Sequence, residues 1–319
     1  MMSSPSKNMK LLKKFNTYNF GISFGIYYSK ELKLLFTGGD WVLGDIKVWN
    51  AKSLKLVKEF ISHGKWVSEI LYIPSINKLV TLGASNTISV DLKFWNIGTY
   101  KCEKELGCPG EQFSNLLLIK SRNQLLVYGK SGTINVLDLQ SKDYAWTEEF
   151  HAPNPNFTVQ TVAYLPEQDK LVVSTTKKGE LYVYDYQTRT KESCINFNKM
   201  SAFTRIVPIP NSKNLIGGFL DGGVAILKWS EDNKTLKIAK KAKLMKEQVK
   251  ELKLSPEENC VMLSHGNAEV SYYNLDDLSH PSRLAVFSKC GLGLTNLGEK
   301  GVFAGTEFYG GTVSIIGPR

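Results

Sequence analysis

A closed, all-β ring of seven four-stranded sheets is the architecture the sequence predicts, and three observations predict it. A short motif recurs at a spacing in the mid-forties, and apolar and polar residues alternate between its copies. The first strand-like segment matches the outer strand of a unit while belonging to no unit of its own.

Taken in order, residues 1–9 read as a short tail and residues 10–319 as a single domain. The length of 319 residues exceeds the roughly 150-residue domain prior, but closed all-β folds run long as one domain. No Gly/Ser- or Pro-rich break divides the chain. Apolar residues at 42% and charged residues at 22% are ordinary for a globular protein and exclude disorder, collagen and a coiled-coil rod. Residues 10–16 are read as a closing strand. Their KLLKKF (10–15) returns as KLVKEF (55–60), 45 residues later, at the end of the first unit.

The units fall at about 20–60, 65–106, 112–150, 157–197, 202–243, 248–288 and 290–317. Each carries an anchor near the end of its third strand: Trp49, Trp95, Leu137, Tyr184, Leu227, Tyr273 and Ile316, at spacings of 46, 42, 47, 43, 46 and 43. A glycine stands five residues before five of them (Gly44, Gly132, Gly179, Gly222 and Gly311), where a tight turn into a strand needs positive φ. Period-two alternation places the strands of the second unit at 66–73, 78–84, 90–96 and 100–106. Those of the fourth lie at 158–165, 170–176, 180–186 and 190–197. Turns such as Pro74-Ser75, Pro166-Glu167, Pro210-Asn211 and Pro256-Glu257 follow the first strand of their units. The last unit has three strands, so the segment 10–16 is expected to complete it and shut the ring, removing sheet edges.

On these letters the chain resembles the WD-repeat (tryptophan–aspartate repeat) family, as a divergent member. Trp49-Asn50 and Trp95-Asn96 stand where that family has Trp-Asp, and His63-Gly64 stands, reversed, where it has Gly-His. The resemblance spans residues 10–319 and implies a seven-bladed β-propeller, four antiparallel strands per blade, working as a protein-binding scaffold without catalysis. The family's buried His–Asp–Ser/Thr–Trp network is complete in no unit. The second unit comes nearest, with His63, Thr81 and Trp95, and the other blades are read as held by apolar packing. His63 is thus a structural residue, and His265 is read as a turn residue before Gly266-Asn267.

Chemistry is sought and not found. The four histidines (His63, His151, His265, His280) form no His-x-x-x-His pair, and the five cysteines (Cys102, Cys108, Cys194, Cys260, Cys290) form no Cys-x-x-Cys. There is no Gly-x-Ser-x-Gly and no Walker loop, and Gly291-Leu292-Gly293 lacks a third glycine. The expectation is therefore no enzyme, no cofactor and no metal site. No apolar run approaches the ~18 residues of a membrane span, and the first ten residues carry no signal-like apolar stretch. An intracellular, cytoplasmic and monomeric ring with reduced thiols is expected, with cytoskeletal or nuclear association open.

In the family resembled, the lead-in to each first strand and the loop between second and third strands face one rim. Here those positions hold Tyr18, Asp40, Trp41, Lys65, Trp66, Phe113, Phe157, Lys177, Phe203, Phe308 and Tyr309. Exposed aromatics commonly anchor protein interfaces, so these are the candidate rim for partners in a multi-subunit complex. Trp41 and Tyr309, from neighbouring first and last units, are expected to form one patch. The net charge of +10 comes from 35 Lys and 5 Arg, an excess of solvated point charge over residues suited to bidentate reading. Lys237, Lys240, Lys241, Lys243, Lys246 and Lys250 belong to a run of eight lysines in the twenty residues 234–253. This run is read as an edge-protecting surface, or alternatively as a docking stripe for an acidic surface or RNA, as in a ribosome-associated propeller.

Overall fold

The computed structural model describes residues 9–318 apart from 19–22, 40–43, 85–89, 109–112, 130–131, 155, 198–199, 231, 233–234, 280–281, 288–290, 299–300 and 308–310. Seven antiparallel sheets of four strands follow one another along the chain. Their innermost strands are Ser23–Ser29, Val67–Ile73, Phe113–Ile119, Val159–Leu165, Phe203–Pro208, Val249–Ser255 and Gly291–Asn296. The outer strands of the first six sheets are Leu56–Ile61, Cys102–Gly107, Trp146–His151, Lys191–Asn196, Thr235–Ala242 and Ser282–Ala285. The seventh takes its outer strand from the other end of the chain. Met9–Asn16 pairs antiparallel with Thr312–Pro318, Leu11 facing Ile316 and Phe15 facing Val313. The fold is a seven-bladed β-propeller, closed by its first strand.

Burial rises and falls across each blade as the alternation implies. The second and third strands are buried nearly throughout, as in Leu34–Gly39 and Glu180–Asp185, while outer strands such as Leu56–Ile61 and Lys191–Asn196 are mostly exposed. The core therefore lies between blades rather than at a centre. Seven apolar clusters are found among the described residues, each shared by two consecutive blades. The one joining the last blade to the first contains Leu35, Trp49, Ala304, Val313 and Ile315, with Phe15 of the closing strand against it.

The repeated KLLKKF and KLVKEF segments have a common purpose. Phe15 meets the Trp49 ring edge-on at 5.2 Å, and Phe60 meets Trp95 at 5.0 Å. Each phenylalanine thus packs from an outer strand onto the anchor of the next blade, a contact worth about 0.5–1.5 kcal/mol beyond burial. Phe150 does the same to Tyr184 at 5.9 Å. All seven anchors are buried: Trp49, Trp95, Leu137, Tyr184, Leu227, Tyr273 and Ile316.

The five turn glycines all have positive φ, between 55° and 83°. In the sixth blade the equivalent residue is Ala268, at φ 68°. The turn carbonyl has a fixed task. That of Gly44 accepts the backbone N–H groups of Ser62 and His63, both at 3.0 Å, and that of Gly311 accepts Thr17 and Tyr18 at 2.6 and 3.0 Å. The closing strand is hence tied to its blade by the same bond that ties an ordinary outer strand. Lys14 adds an ion pair to the buried Glu307 at 3.0 Å.

Between blades three and four a polar link is added to the apolar cluster. Arg122 donates from Nη2 to both Asp169 carboxylate oxygens at 2.7 Å and from Nε to Tyr164 Oη at 3.1 Å, with its guanidinium 4.7 Å from the centre of the Tyr186 ring.

Candidate functional site

Every innermost strand carries the same irregularity near its start. The pairing register to the second strand shifts between Ser23 and Gly25, Val67 and Glu69, Phe113 and Asn115, Val159 and Thr161, Phe203 and Arg205, Val249 and Glu251, and Gly291 and Leu294. A bulge re-aims side chains and increases local twist. Here residues at or beside it line the central channel, a cavity of about 320 Å³ to which all seven blades contribute. Gly25, Glu69, Asn115, Gln160, Arg205, Glu251 and Gly293 are the lining residues from successive blades, joined by Lys250 and Lys253 of the sixth.

The channel is charged on one side. Glu251 Oε1 receives Arg205 Nε at 3.3 Å and Lys253 Nζ at 3.6 Å. Burial opposes its ionisation, but Lys253, Arg205 and the Leu252 N–H together hold its carboxyl below the ordinary value. Glu69 behaves oppositely. Its depth in the ring pushes its pKa up to about 7, the Glu251 charge adds to the shift, and Lys253 and Arg205 oppose it. One carboxylate is fixed and ionised, and the other changes charge near neutrality.

At the rim, strand lead-ins and turns lie side by side. A Cβ on Gly44, in the first blade's turn, would come within 2.3 Å of the Lys65 carbonyl in the lead-in of the second. In blade four Lys177 sits 5.8 Å over the Phe157 ring and pairs with Glu180 at 2.9 Å. Lys65 and Trp66 are half-buried, Phe157 is half-buried against the core beneath it, and Lys177 is exposed. Asp40, Trp41, Phe308 and Tyr309 lie outside the described residues, as does the expected Trp41–Tyr309 patch, and of Phe113 only the backbone is described.

Two rim expectations are corrected. Phe203 is fully buried, packed on Phe219 at 4.4 Å and filling the space left by Gly217, because it is the first residue of its strand, in register with the equally buried Val67, Val159 and Val249. Tyr18 is buried too, and it takes part in a network the sequence reading missed. In blade two His63 Nε2 lies 2.9 Å from Thr81 Oγ1, which accepts the Trp95 indole N–H at 2.9 Å. In blade one Thr37 Oγ1 accepts from Trp49 Nε1 at 3.0 Å, and Tyr18 Oη donates to the Thr37 carbonyl at 2.9 Å. Tyr18 and His63 both stand two residues after their outer strands end. That equivalence, with Thr37 and Thr81 on matching strands, was the available signal.

Burial, followed by Lys93, pushes the His63 pKa down to about 3, so the ring is neutral. The Thr81 hydroxyl thus bridges the Trp95 indole and His63 Nε2, joining the second and third strands to the lead-in of their own blade. His265 is likewise no turn residue. It ends the strand Cys260–His265, fully buried, with Nε2 2.7 Å from Ser271 Oγ and Nδ1 3.0 Å from the Glu247 carbonyl.

The lysines of the basic run are set on the outside of blade five and the lead-in to blade six. Lys237, Lys240, Lys241 and Lys246 are exposed, Lys243 pairs with Asp221 at 2.7 Å, and Lys250 turns into the channel. Among the described residues no group of His, Cys, Asp and Glu is arranged to hold a metal ion, and no helix is long and apolar enough to cross a membrane.

This arrangement defines a propeller with a polar bore. The solved β-propeller domain of Cps50 (Swd1) from Myceliophteria thermophila is similar to it, with a TM-score of 0.80 over 98% of this chain and 100% of that domain, at 14% identity. No protein-family model matches the chain. No curated protein matches it at a significant level.

Proposed function

We propose that this propeller is a non-catalytic interaction scaffold, a subunit of a larger protein assembly that grips partners with its rim loops. The WD-repeat family is the reading we favour, on the His63–Thr81–Trp95 chain in blade two and its Tyr18–Thr37–Trp49 counterpart in blade one. The observation that carries the scaffold reading is the placement of Lys65-Trp66 against the first blade's turn and of Lys177 over Phe157. Seven rigid inter-blade cores hold such loops in fixed relation, which suits recognition by presented surface.

The test is affinity capture with mass spectrometry, comparing wild type with a Lys65→Glu/Trp66→Ala/Lys177→Glu variant. The variant should lose specific partners while its melting temperature stays within a few degrees. An identical captured set would remove the rim reading. A second reading, contact with RNA or an acidic surface, draws on the exposed Lys237, Lys240, Lys241 and Lys246. Co-purified nucleic acid, seen as a raised 260/280 nm absorbance ratio that falls after a salt wash, would favour it.

A further inference from the structure

Three cations face the channel, and their own carboxylate does not use them up. Arg205 and Lys253 converge on one oxygen of Glu251 at 3.3 and 3.6 Å, neither in bidentate geometry. Arg205 gives one further hydrogen to the Thr204 carbonyl at 2.9 Å, and its remaining terminal nitrogen has no partner among the described residues. Lys250 Nζ is held only by the neutral Gln248 Oε1, at 2.9 Å. Across the bore lies Asn115, a neutral polar group, and Glu69 makes no ion pair among the described residues. The channel therefore holds more fixed positive than negative charge inside low-dielectric walls, which focus a field on anions.

We propose that the channel is an oxyanion-binding site in which Arg205, Lys250 and Lys253 receive a phosphoryl, sulfuryl or carboxylate group. The group arrives either as a free ion or as an acidic side chain of a docked polypeptide. The site does not rest on the rim reading, since the channel can bind an anion whether or not the loops hold a protein.

Glu69 sets the pH response. It is faced by Glu251, Lys253, Arg205 and Tyr128, and its charged form repels an incoming anion. Sulfate keeps its charge across the neutral range, so its affinity should rise as pH falls from about 8 to about 6, through the Glu69 pKa of about 7. Glu69→Gln should tighten binding and flatten that dependence.

The experiment is calorimetric titration of the full chain with sodium sulfate, with ionic strength held constant by sodium chloride. Saturable binding is expected, weakened about tenfold or more by Arg205→Gln, the loss typical of one charged hydrogen bond. Lys250→Gln should act in the same direction, and it removes a single hydrogen bond, to Gln248, so it serves where Arg205→Gln fails to fold. A blocked tetraglutamate peptide forms the second arm. Competition with sulfate assigns the site to acidic side chains, and sulfate binding without competition assigns it to a free ion. Absence of saturable sulfate binding, or wild-type affinity in both cation variants, would overturn the proposal.

Discussion

Ala268 holds φ at 68°, at a turn where five other blades use glycine. A side chain in the left-handed region costs about 1–2 kcal/mol, part of which glycine returns through its freer unfolded chain. Ala268→Gly should therefore stabilise the protein by roughly 0.5–1 kcal/mol, read from urea unfolding midpoints. His63 makes a different contribution. Its folded pKa of about 3 lies below the ordinary 6.5, so its stability is whole above pH 6.5 and is lost as pH falls toward 3, when the unfolded chain takes up the proton. By pH 5 wild type should lose roughly 2 kcal/mol relative to a His63→Gln variant, compared with pH 7.5. Parallel slopes for the two proteins would remove this account. Arg122 joins two blades through one terminal nitrogen shared by both Asp169 oxygens, an Nε bond to Tyr164 and a ring contact with Tyr186. Arg122→Lys keeps the charge but loses the Nε bond to Tyr164 and the guanidinium contact with the Tyr186 ring, and should lower stability by about 1–2 kcal/mol in thermal melts.

At the level of the strand, closure rests on Met9–Asn16. Removing residues 1–16 uncovers the edge of Thr312–Pro318 and strips Phe15 from Trp49. The truncated chain should melt lower and associate through the bare edge, measurable by light scattering, and a synthetic peptide of residues 9–18 should reverse both. This strand was legible because its KLLKKF matches KLVKEF, and a repeated outer-strand sequence without a blade has one place to go. The anchors and turn glycines were legible for a related reason, that burial and positive φ restrict which residues can stand there. Position along the chain says less about direction. Tyr18 and Phe203 fall at strand lead-ins, where the backbone reaches the rim, yet both rings turn into the core. Whether a lead-in ring folds inward depends on a hole in the neighbouring strand, such as that left by Gly217 for Phe203. The channel charges were hidden more deeply. Arg205, Glu251 and Lys253 read as polar positions of an alternating strand, and only the register shift decides which of them face the axis.

Over the molecule as a whole, each pair of neighbouring blades shares a core of the same kind, and the last pair differs only in being joined by a returning strand. Ring strength should then depend on having such a strand rather than on which blade holds it. Two circular permutants, both linking residue 318 to residue 9, separate these ideas. One opened at Lys142 makes Trp146–His151 the new closing strand, and one opened at Asn154 leaves every blade built from continuous chain. The first should melt several degrees above the second, as followed by circular dichroism, and equal melting would show that interlocking contributes nothing. The shifted register of the seven inner strands has a further consequence. It separates the side chain each blade turns to the axis from those that glue blade to blade. The lining of the bore can thus be rewritten at positions such as Asn115 or Gln160, one spoke at a time, while the wheel keeps its shape.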